Sequence, residues 1–329
     1  MEIRQADGTT PWDEFVCESP QGTPFHLRGA LAAAARHSGG RLHRLVGYED
    51  GEPVGLFPVL ERRRGPVTAV LSPPPGLKMS YGGPLLLTGE LPPVAAERRH
   101  RAFVDACLSR LGAELSPEYV HLRTAPGYDD TRVLAGHGFD ATPRHTYVVD
   151  LTLGTERLLR EFSSDARRNV RDGGPPGCTV EVGDDRALRR IIRQVRERHE
   201  ELGLDYPLTP EFVCELRRAL PDGTLRPYVC TLDGEFAGGR VTLEANGTVY
   251  GWQGGAKPDH DVPITDLVDW QVIRDGVERG LSGYDLVGAN NPRTSEYKAK
   301  FAPALVRHYE LERGSMPVRA VARLYRRLA

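Results

Sequence analysis

Residues 42–60 read LHRLVGYEDGEPVGLFPVL, and residues 226–243 read RPYVCTLDGEFAGGRVTL. In each stretch an aspartate–glycine pair, Asp50-Gly51 or Asp233-Gly234, separates two runs that are rich in apolar residues. Such a pair adopts the positive φ angles of a two-residue turn between antiparallel strands. Each stretch is therefore predicted to form a β-hairpin, and the same motif occurs twice in one chain.

The segments that follow the two hairpins have the same order. After the first hairpin, the apolar patterns predict a strand at 67–71, a helix at 95–111, and strands at 119–123 and 145–151. After the second, they predict a strand at 248–253, a helix at 265–278 with Thr265 as N-cap, and strands at 284–287 and 307–311. Tyr284 follows Tyr119 by 165 residues, and Arg307 follows Arg144 by 163. We therefore predict a tandem duplication of one α/β unit with mixed (α+β) sheets.

The chain length agrees with two domains. With 329 residues the chain exceeds one typical domain, and we place the domains at 1–150 and 151–329. The net charge of -2 argues against a dedicated nucleic-acid binder, so any polyanion contact is expected to be a local patch. We find no signal sequence and no run of about 18 apolar residues, and we expect a cytoplasmic protein without integral membrane segments.

Cysteine and histidine patterns give no sign of a metal site. The five cysteines form no C-x-x-C pair and show no histidine spacing that suits zinc. Free thiols in a reducing compartment are therefore expected, and no metal is predicted.

A basic helix is predicted between the two copies. Residues 155–172, TERLLREFSSDARRNVRD, have one apolar side and are followed by Gly-Gly-Pro-Pro-Gly, which ends a helix. Arg167, Arg168 and Arg171 fall near the end of this segment. Two interpretations stay open, because such cations complement the helix dipole and also bind phosphate.

The stretch 283–303, GYDLVGANNPRTSEYKAKFAP, is the first candidate for a functional site. A short apolar strand leads into a glycine–asparagine turn and then into Lys298 and Lys300, two of the four lysines in the chain. A turn at a strand end exposes backbone N–H groups, and an ammonium placed there can stabilise a phosphate or an oxyanion. The alternative is a pair of solvated lysines on a surface helix. We expect Lys298 to act and Lys300 to be solvated.

Three stretches resemble the FemAB family, which is related to the GNAT acyltransferases. They are FSSDARRNVRDGGPPGCTVEVGD (an arginine-rich helix, a glycine turn and a Val-x-Val strand), the block from YGWQGGAKPDHDVPITDL to GYDLVGAN, and the ending SEYKAKFAP. The resemblance implies two GNAT-like domains. It also implies transfer of an aminoacyl group from aminoacyl-tRNA to an amine of a peptidoglycan precursor or another small peptide or sugar, and thus a role in cell-envelope biogenesis.

The resemblance also implies roles for individual residues. Lys298 matches the family lysine that precedes a phenylalanine, here Phe301, although Ala302 stands where glycine is usual. Asp285 and His308 are candidates for handling protons. The expected substrate-binding residues are Tyr81, Gly82, Gly83, Arg168, Arg171, Tyr250, Asn290 and Phe301. The sequence shows no Ser-His-Asp or Cys-His arrangement, which favours direct transfer.

Two other functions stay open. One is a CoA-dependent N-acyltransferase that acts on a sugar or small amine, and the other is a ligand-binding module without catalysis. A CoA pyrophosphate needs free N–H groups at a helix start, whereas the candidate starts carry Pro92, Pro93 and Pro263. Some members of the family carry a long two-helix coiled-coil arm as an insertion, and the sequence shows no such arm. The donor is therefore left as aminoacyl-tRNA or acyl-CoA, with no permanently bound cofactor expected.

Overall fold

A computed structural model describes residues 1–87, 89, 91–171, 173–255 and 261–328 of the chain. Lys257 and its neighbours at 256–260, part of the segment considered for CoA binding, lie outside the described residues. Thr88 and Glu90, in the matching segment of the first half, also lie outside them.

The described residues form both helices and strands. In chain order these are β1 (Glu2–Gln5), α1 (Trp12–Glu18), α2 (Arg28–Ser38), β2 (Arg41–Glu49), β3 (Glu52–Arg64), β4 (Val67–Ser72), β5 (Leu85–Leu86), α3 (Pro93–Leu115), β6 (Tyr119–Arg123), α4 (Arg132–Gly136), β7 (Asp140–Asp150), α5 (Thr155–Glu161), α6 (Ser164–Arg171), β8 (Cys178–Val182), α7 (Asp185–Glu201), α8 (Pro210–Ala219), β9 (Leu225–Leu232), β10 (Glu235–Ala245), β11 (Thr248–Gly254), α9 (Ile264–Glu278), β12 (Gly283–Asp285), α10 (Pro292–Ala299), β13 (Ala304–Gly314) and α11 (Met316–Leu328).

The chain divides into two compact units. The first comprises Met1–Arg144 and Arg307–Ala329, and the second comprises His145–Val306. In the first unit the strand order is β1-β2-β3-β4-β6-β13, and β5 pairs with β3. In the second the order is β7-β12-β11-β10-β9-β8. Each unit has its own hydrophobic core, centred on Phe57 and Phe103 in the first and on Phe162 and Trp270 in the second.

Both predicted hairpins are confirmed. Strands β2 and β3 pair from Glu49↔Glu52 outward, and β9 and β10 pair from Leu232↔Glu235 outward. At the turns Asp50 and Gly51 have φ angles of 53° and 87°, and Asp233 and Gly234 have 49° and 82°. These are the left-handed conformations that an aspartate–glycine pair favours in a two-residue turn.

The duplication of one mixed α/β unit is confirmed, with one exchange. In each copy a hairpin is followed by a third antiparallel strand, a long helix, and a strand parallel to the third: β2-β3-β4-α3-β6 and β9-β10-β11-α9-β12. The next strand along the chain is exchanged, because β13 pairs with β6 whereas β7 pairs with β12. This pairing is why residues 307–329 lie in the first unit, although the sequence-based boundaries placed them in the second.

Two local predictions were wrong. The segment 155–172 is not one helix, because Phe162 leaves the helical conformation with a ψ of 152°. Its ring is buried against Trp270 and Phe301, and Ser163 Oγ then accepts from Ala166 N at 3.2 Å to start α6. Thr265 is not an N-cap, because α9 already begins at Ile264, directly after Pro263.

No helix among the described residues is both long enough and apolar enough to span a bilayer. All five cysteines are free thiols.

Candidate functional site

A hydrogen-bonded turn follows β12 in the second unit. Val287 and Gly288 both have positive φ angles, 52° and 85°, so the chain reverses sharply there. Asp285 Oδ1 accepts from Val287 N at 2.7 Å and from Thr146 Oγ1 at 2.5 Å, and Thr146 Oγ1 accepts from Gly288 N at 2.9 Å. Asp285 and Thr146 are buried, and their side chains accept hydrogen bonds from the backbone N–H groups of the turn. In this arrangement both lone pairs of Asp285 Oδ1 are used by the turn.

Asn290 fixes the far side of the same turn. Its side-chain oxygen accepts from His145 N at 3.0 Å, and its side-chain nitrogen donates to His145 O at 2.9 Å. This two-point pairing with one backbone residue of β7 limits the freedom of the turn. The expected substrate-binding role of Asn290 is therefore accompanied by a clear structural one.

Lys298 projects from α10 onto the turn. Its Nζ donates to Val287 O and to Gly288 O, both at 2.8 Å, so one of its three N–H groups is left for a ligand among the described contacts. Burial lowers the pKa of Lys298 to about 8, and the positive charge of Arg240 acts in the same direction. Asp269 and Asp285 oppose this shift. Lys298 is thus a cation at neutral pH that is held in a fixed place and loses its proton easily.

The pKa of Lys298 can be measured directly. After reductive ¹³C-methylation, the chain's four lysines give few NMR resonances, and the one that is missing in Lys298→Arg belongs to Lys298. We expect this resonance to titrate with a midpoint of about 8, because the site desolvates the ammonium. A midpoint at the ordinary value of 10.5 would show that the ammonium is solvated.

A buried ion pair between Arg240 and Asp269 acts on the pKa of Lys298. Arg240 Nη2 donates to Asp269 Oδ2 at 2.8 Å, and Arg240 Nε lies 2.5 Å from Asp269 Oδ1 without the alignment of a hydrogen bond. Tyr284 OH donates to Oδ1 at 2.6 Å, and Tyr297 OH donates to Oδ2 at 2.7 Å. Asp269 has no exposed surface. Burial raises the pKa of both phenols, so they stay donors, and the cluster is fixed.

Lys300 is not solvated, and this prediction was wrong. Its Nζ lies 2.5 Å from Asp266 Oδ1 and 4.2 Å from the centre of the Tyr297 ring. Asn169 donates to Asp266 Oδ2 at 2.6 Å, and Asp266 is only 3% exposed. Since a buried carboxylate needs a cation, Lys300 has a structural role beside the aromatic core.

The arginines of α6 are exposed, as a phosphate-binding patch requires. The side chain of Arg168 is 75% exposed and makes only a surface ion pair with Asp165 at 3.1 Å. Within the part of the chain that the structure describes, Arg171 has no side-chain partner, and on α7 neither do Arg186 and Arg193. These four cations lie on two helices of the second unit.

The other two candidates of the second unit are buried. Tyr250 is 6% exposed and pairs with Asp285 in the β11–β12 register, and burial raises the pKa of its phenol. Phe301 is fully buried, with edge-to-face contacts to Phe162 and Tyr297. Phe301 therefore packs the core, and the expectation that it contacts substrate has no support from its position.

The remaining candidates lie in the first unit. Tyr81 is buried, and its ring lies edge-to-face to the His308 ring with 5.3 Å between the ring centres. Gly82 passes so close to the chain that an added Cβ would lie 2.6 Å from Pro73 N, and Gly83 has a φ of 78°. The structure thus brings His308 together with Tyr81, while Lys298, Asp285 and Asn290 share the turn of the second unit. Both glycines have a steric reason to be there.

Sequence reasoning missed Arg240, Asp269 and Thr146. A signal was present for the first two, because each is a charged residue inside an apolar run, GGRVTL in β10 and ITDLVDWQV in α9. Two opposite charges of this kind in one domain indicate a buried pair. Thr146 carried no such signal.

The comparisons with known proteins agree with this fold. Residues 159–299 match the family model described as "Acetyltransferase (GNAT) domain". This range contains Arg168, Arg171, Asp285, Asn290 and Lys298. No curated protein matches the chain.

Solved structures share the architecture of nearly the whole chain. FemX is 16% identical, with a TM-score of 0.75, covering 94% of this chain and 97% of that one. L-PGS from Bacillus licheniformis is 16% identical, with a TM-score of 0.56 and full coverage of both chains at 100%. A tandem GNAT protein from the clavulanic acid biosynthesis pathway is 12% identical, with a TM-score of 0.50, covering 95% and 98%. The resemblance to the FemAB family is thus confirmed as a shared fold.

Proposed function

We propose, from the FemX-like fold and the GNAT domain within it, that this protein is an acyltransferase that forms an amide bond with aminoacyl-tRNA as donor. The proposed acceptor is an amine of a peptidoglycan-precursor-like peptide or of another small peptide or sugar. The observation that carries the choice of donor is the chemistry of the two helix starts at which a GNAT-type pyrophosphate would bind.

The start of α9 is unsuited to a pyrophosphate. Pro263 has no N–H, Ile264 N is used by Val262 O at 2.8 Å, and Asp266 N is used by Pro263 O at 3.0 Å. The carboxylate of Asp266 already occupies the first turn, where the helix dipole favours negative charge. Among the described residues, this end therefore offers a second anion few free donors, and its first-turn carboxylate is already paired with Lys300.

The start of α3 in the first unit has a similar shortage of donors. Pro92 and Pro93 have no N–H, and the N–H groups of Ala95 and Ala96 both go to Pro92 O, at 2.9 and 3.0 Å. Among the described N–H groups of the first turn, that of Val94 is left to bind a ligand. One donor does not form the cradle that a diphosphate needs.

The exposed arginines of α6 and α7 supply what a tRNA donor needs instead. Phosphate contacts by arginine give binding that does not depend on sequence but falls steeply with salt. The near-neutral charge of the whole chain does not oppose this, because a few exposed arginines are enough to contact phosphate groups.

The proposed reaction needs positioning and charge stabilisation more than a nucleophilic side chain. The acceptor amine attacks the ester carbonyl of the donor and the carbon–oxygen bond to the tRNA breaks. The nitrogen loses one proton and the leaving ribose oxygen gains one, both by exchange with solvent. Lys298, held on α10 against the turn after β12, presents its remaining N–H and would stabilise the oxyanion that develops.

Binding measurements test the donor. By calorimetry we expect no acetyl-CoA binding at low millimolar ligand, because the described residues of both helix starts offer few free N–H donors. We expect aminoacyl-tRNA to bind at low salt, to weaken as salt is raised, and to be lost in the double variant Arg168→Ala/Arg171→Ala. The matched control is Arg98→Ala/Arg101→Ala, which removes two exposed arginines at the same spacing on α3.

The GNAT family match favours one competing outcome. Saturable acetyl-CoA binding, with tRNA not bound even at low salt, would replace the proposed donor and make the protein a CoA-dependent N-acyltransferase.

A further inference from the structure

Two thiols are in contact at the edge of the sheet in the second unit. Cys178 begins β8, which ends the strand order of that unit, and Cys230 lies on the neighbouring strand β9. In the register Cys178 is opposite Leu232, and Val180 is opposite Cys230. The two cysteines are therefore diagonal neighbours on one face of the sheet. Their Sγ atoms are 3.5 Å apart.

The two thiols differ in their access to solvent. Cys230 has no exposed surface and belongs to the core of the second unit, whereas Cys178 is only partly buried at the rim of that core. Burial raises the pKa of Cys230 to about 12, and the contact with Cys178 acts in the same direction. A small reagent in the solvent therefore meets Cys178 first. Cys230 lies directly behind it, next to any adduct that forms on its sulfur.

The backbone holds the pair together on both sides of Cys178. Before it, Asp233 N donates to Gly177 O at 3.0 Å, and after it the hydroxyls of Thr179 and Thr231 are 2.9 Å apart. A disulfide has a sulfur–sulfur distance of about 2.0 Å, so the two sulfur atoms need to approach by about 1.5 Å. An edge strand has a neighbour on one side only, and it can follow this approach without displacing a second strand.

We propose that Cys178 and Cys230 form a reversible oxidation site, at which a small disulfide such as glutathione disulfide converts the two thiols into a disulfide that links β8 to β9. The site is independent of the acyl donor assigned above. It is compatible with thiols that stay reduced until such an oxidant is present.

The proposed reaction has two exchange steps. The sulfur of Cys178 attacks one sulfur of glutathione disulfide, and one glutathione leaves as a thiol with the proton of Cys178. The sulfur of Cys230 then attacks the sulfur of Cys178, and the second glutathione leaves with the proton of Cys230. Two protein thiols are oxidised and one glutathione disulfide is reduced, so atoms and electrons balance.

Thiol counting on the folded full chain tests this site. The experiment uses the background Cys17→Ala, because Cys17 is exposed and can react by itself. After incubation with glutathione disulfide, we expect the four remaining thiols to fall to two, with unchanged circular dichroism. Peptide mapping should link Cys178 to Cys230, and dithiothreitol should restore both thiols.

Three variants in the same background separate the two steps. Cys230→Ala should stop at a mixed disulfide of Cys178 with glutathione, because the second thiol is missing. Cys178→Ala should leave Cys230 unreacted, since Cys230 is buried. The matched control Cys178→Ala/Thr179→Cys moves the thiol by one residue to the opposite face of the strand, and it should give a mixed disulfide without a link to Cys230.

Three results would overturn the proposal. One is a count of four free thiols after incubation with glutathione disulfide. Another is a mixed disulfide at Cys178 that persists while Cys230 stays a thiol. The third is a link between the two cysteines that forms only in urea, because the unfolded chain rather than the paired strands would then bring the thiols together.

Discussion

Replacing Asp269 by alanine is expected to lower the free energy of unfolding by about 3 to 5 kcal/mol. The carboxylate is fully buried and is bonded to Arg240, Tyr284 and Tyr297. Its removal leaves the buried guanidinium of Arg240 without a counter-charge and leaves two phenols without their acceptor. This is the largest stability effect we expect from a single substitution in the second unit.

Urea unfolding of the full chain measures this effect. Asp165→Ala breaks the exposed pair with Arg168 and is expected to change stability by less than about 0.5 kcal/mol. Arg240→Met/Asp269→Leu is expected to cost less than Asp269→Ala alone, since no unpaired charge remains. A loss below about 1 kcal/mol for Asp269→Ala would contradict the view that this pair holds the second unit together.

Local signals in the sequence were enough to predict the repeated unit. The Asp-Gly turns depend on two adjacent residues, and the long helices depend on an apolar period that spans a few turns. Both are properties of short stretches, so neither needs knowledge of distant partners. The break at Phe162 was missed because it depends on tertiary packing. The start of α9 at Ile264 was missed because it depends on the proline before the helix.

The exchange of β7 and β13 had no local signal. An antiparallel neighbour of β6 needs only an alternating apolar strand, and both strands meet that need equally well. Arg123 and its partner Glu310 are far apart in sequence, and pairing over such a distance leaves no mark on either strand alone. The same lack of a local signal explains why the sequence-based boundaries placed residues 307–329 in the second unit.

The chemistry of the two lysines was also decided by distant residues. Lys298 and Lys300 are separated by one residue, yet one donates to the carbonyls of a turn and the other pairs with buried Asp266. From the sequence, the family ending favoured Lys298 but could not show that Lys300 has a carboxylate partner. Lys300 therefore cannot serve as a neutral control in tests of Lys298.

Lys298→Met is expected to reduce transfer by about 2 to 4 kcal/mol, or roughly 30- to 800-fold in kcat/KM. The change removes a cation of α10 that, among the described contacts, reaches the turn after β12 with one N–H to spare. The measurement uses whichever donor and acceptor pair gives product, with kcat and KM determined separately. If Lys298 acts on the oxyanion, the loss should be in kcat, with KM almost unchanged.

The pH profile separates this role from a purely structural one. With a pKa of about 8, Lys298 is charged below that pH and neutral above it, so kcat/KM should fall as pH rises through about 8. Lys298→Arg keeps a positive charge at all these pH values, and it should therefore retain measurable transfer and lose this fall. A lysine that only stabilises the turn through Val287 O and Gly288 O would instead lower the melting temperature in Lys298→Met without a kcat effect at temperatures where the variant is folded. A rise in kcat/KM through pH 8 that is lost in Lys298→Arg would contradict the oxyanion role and point to the neutral amine of Lys298 as a base.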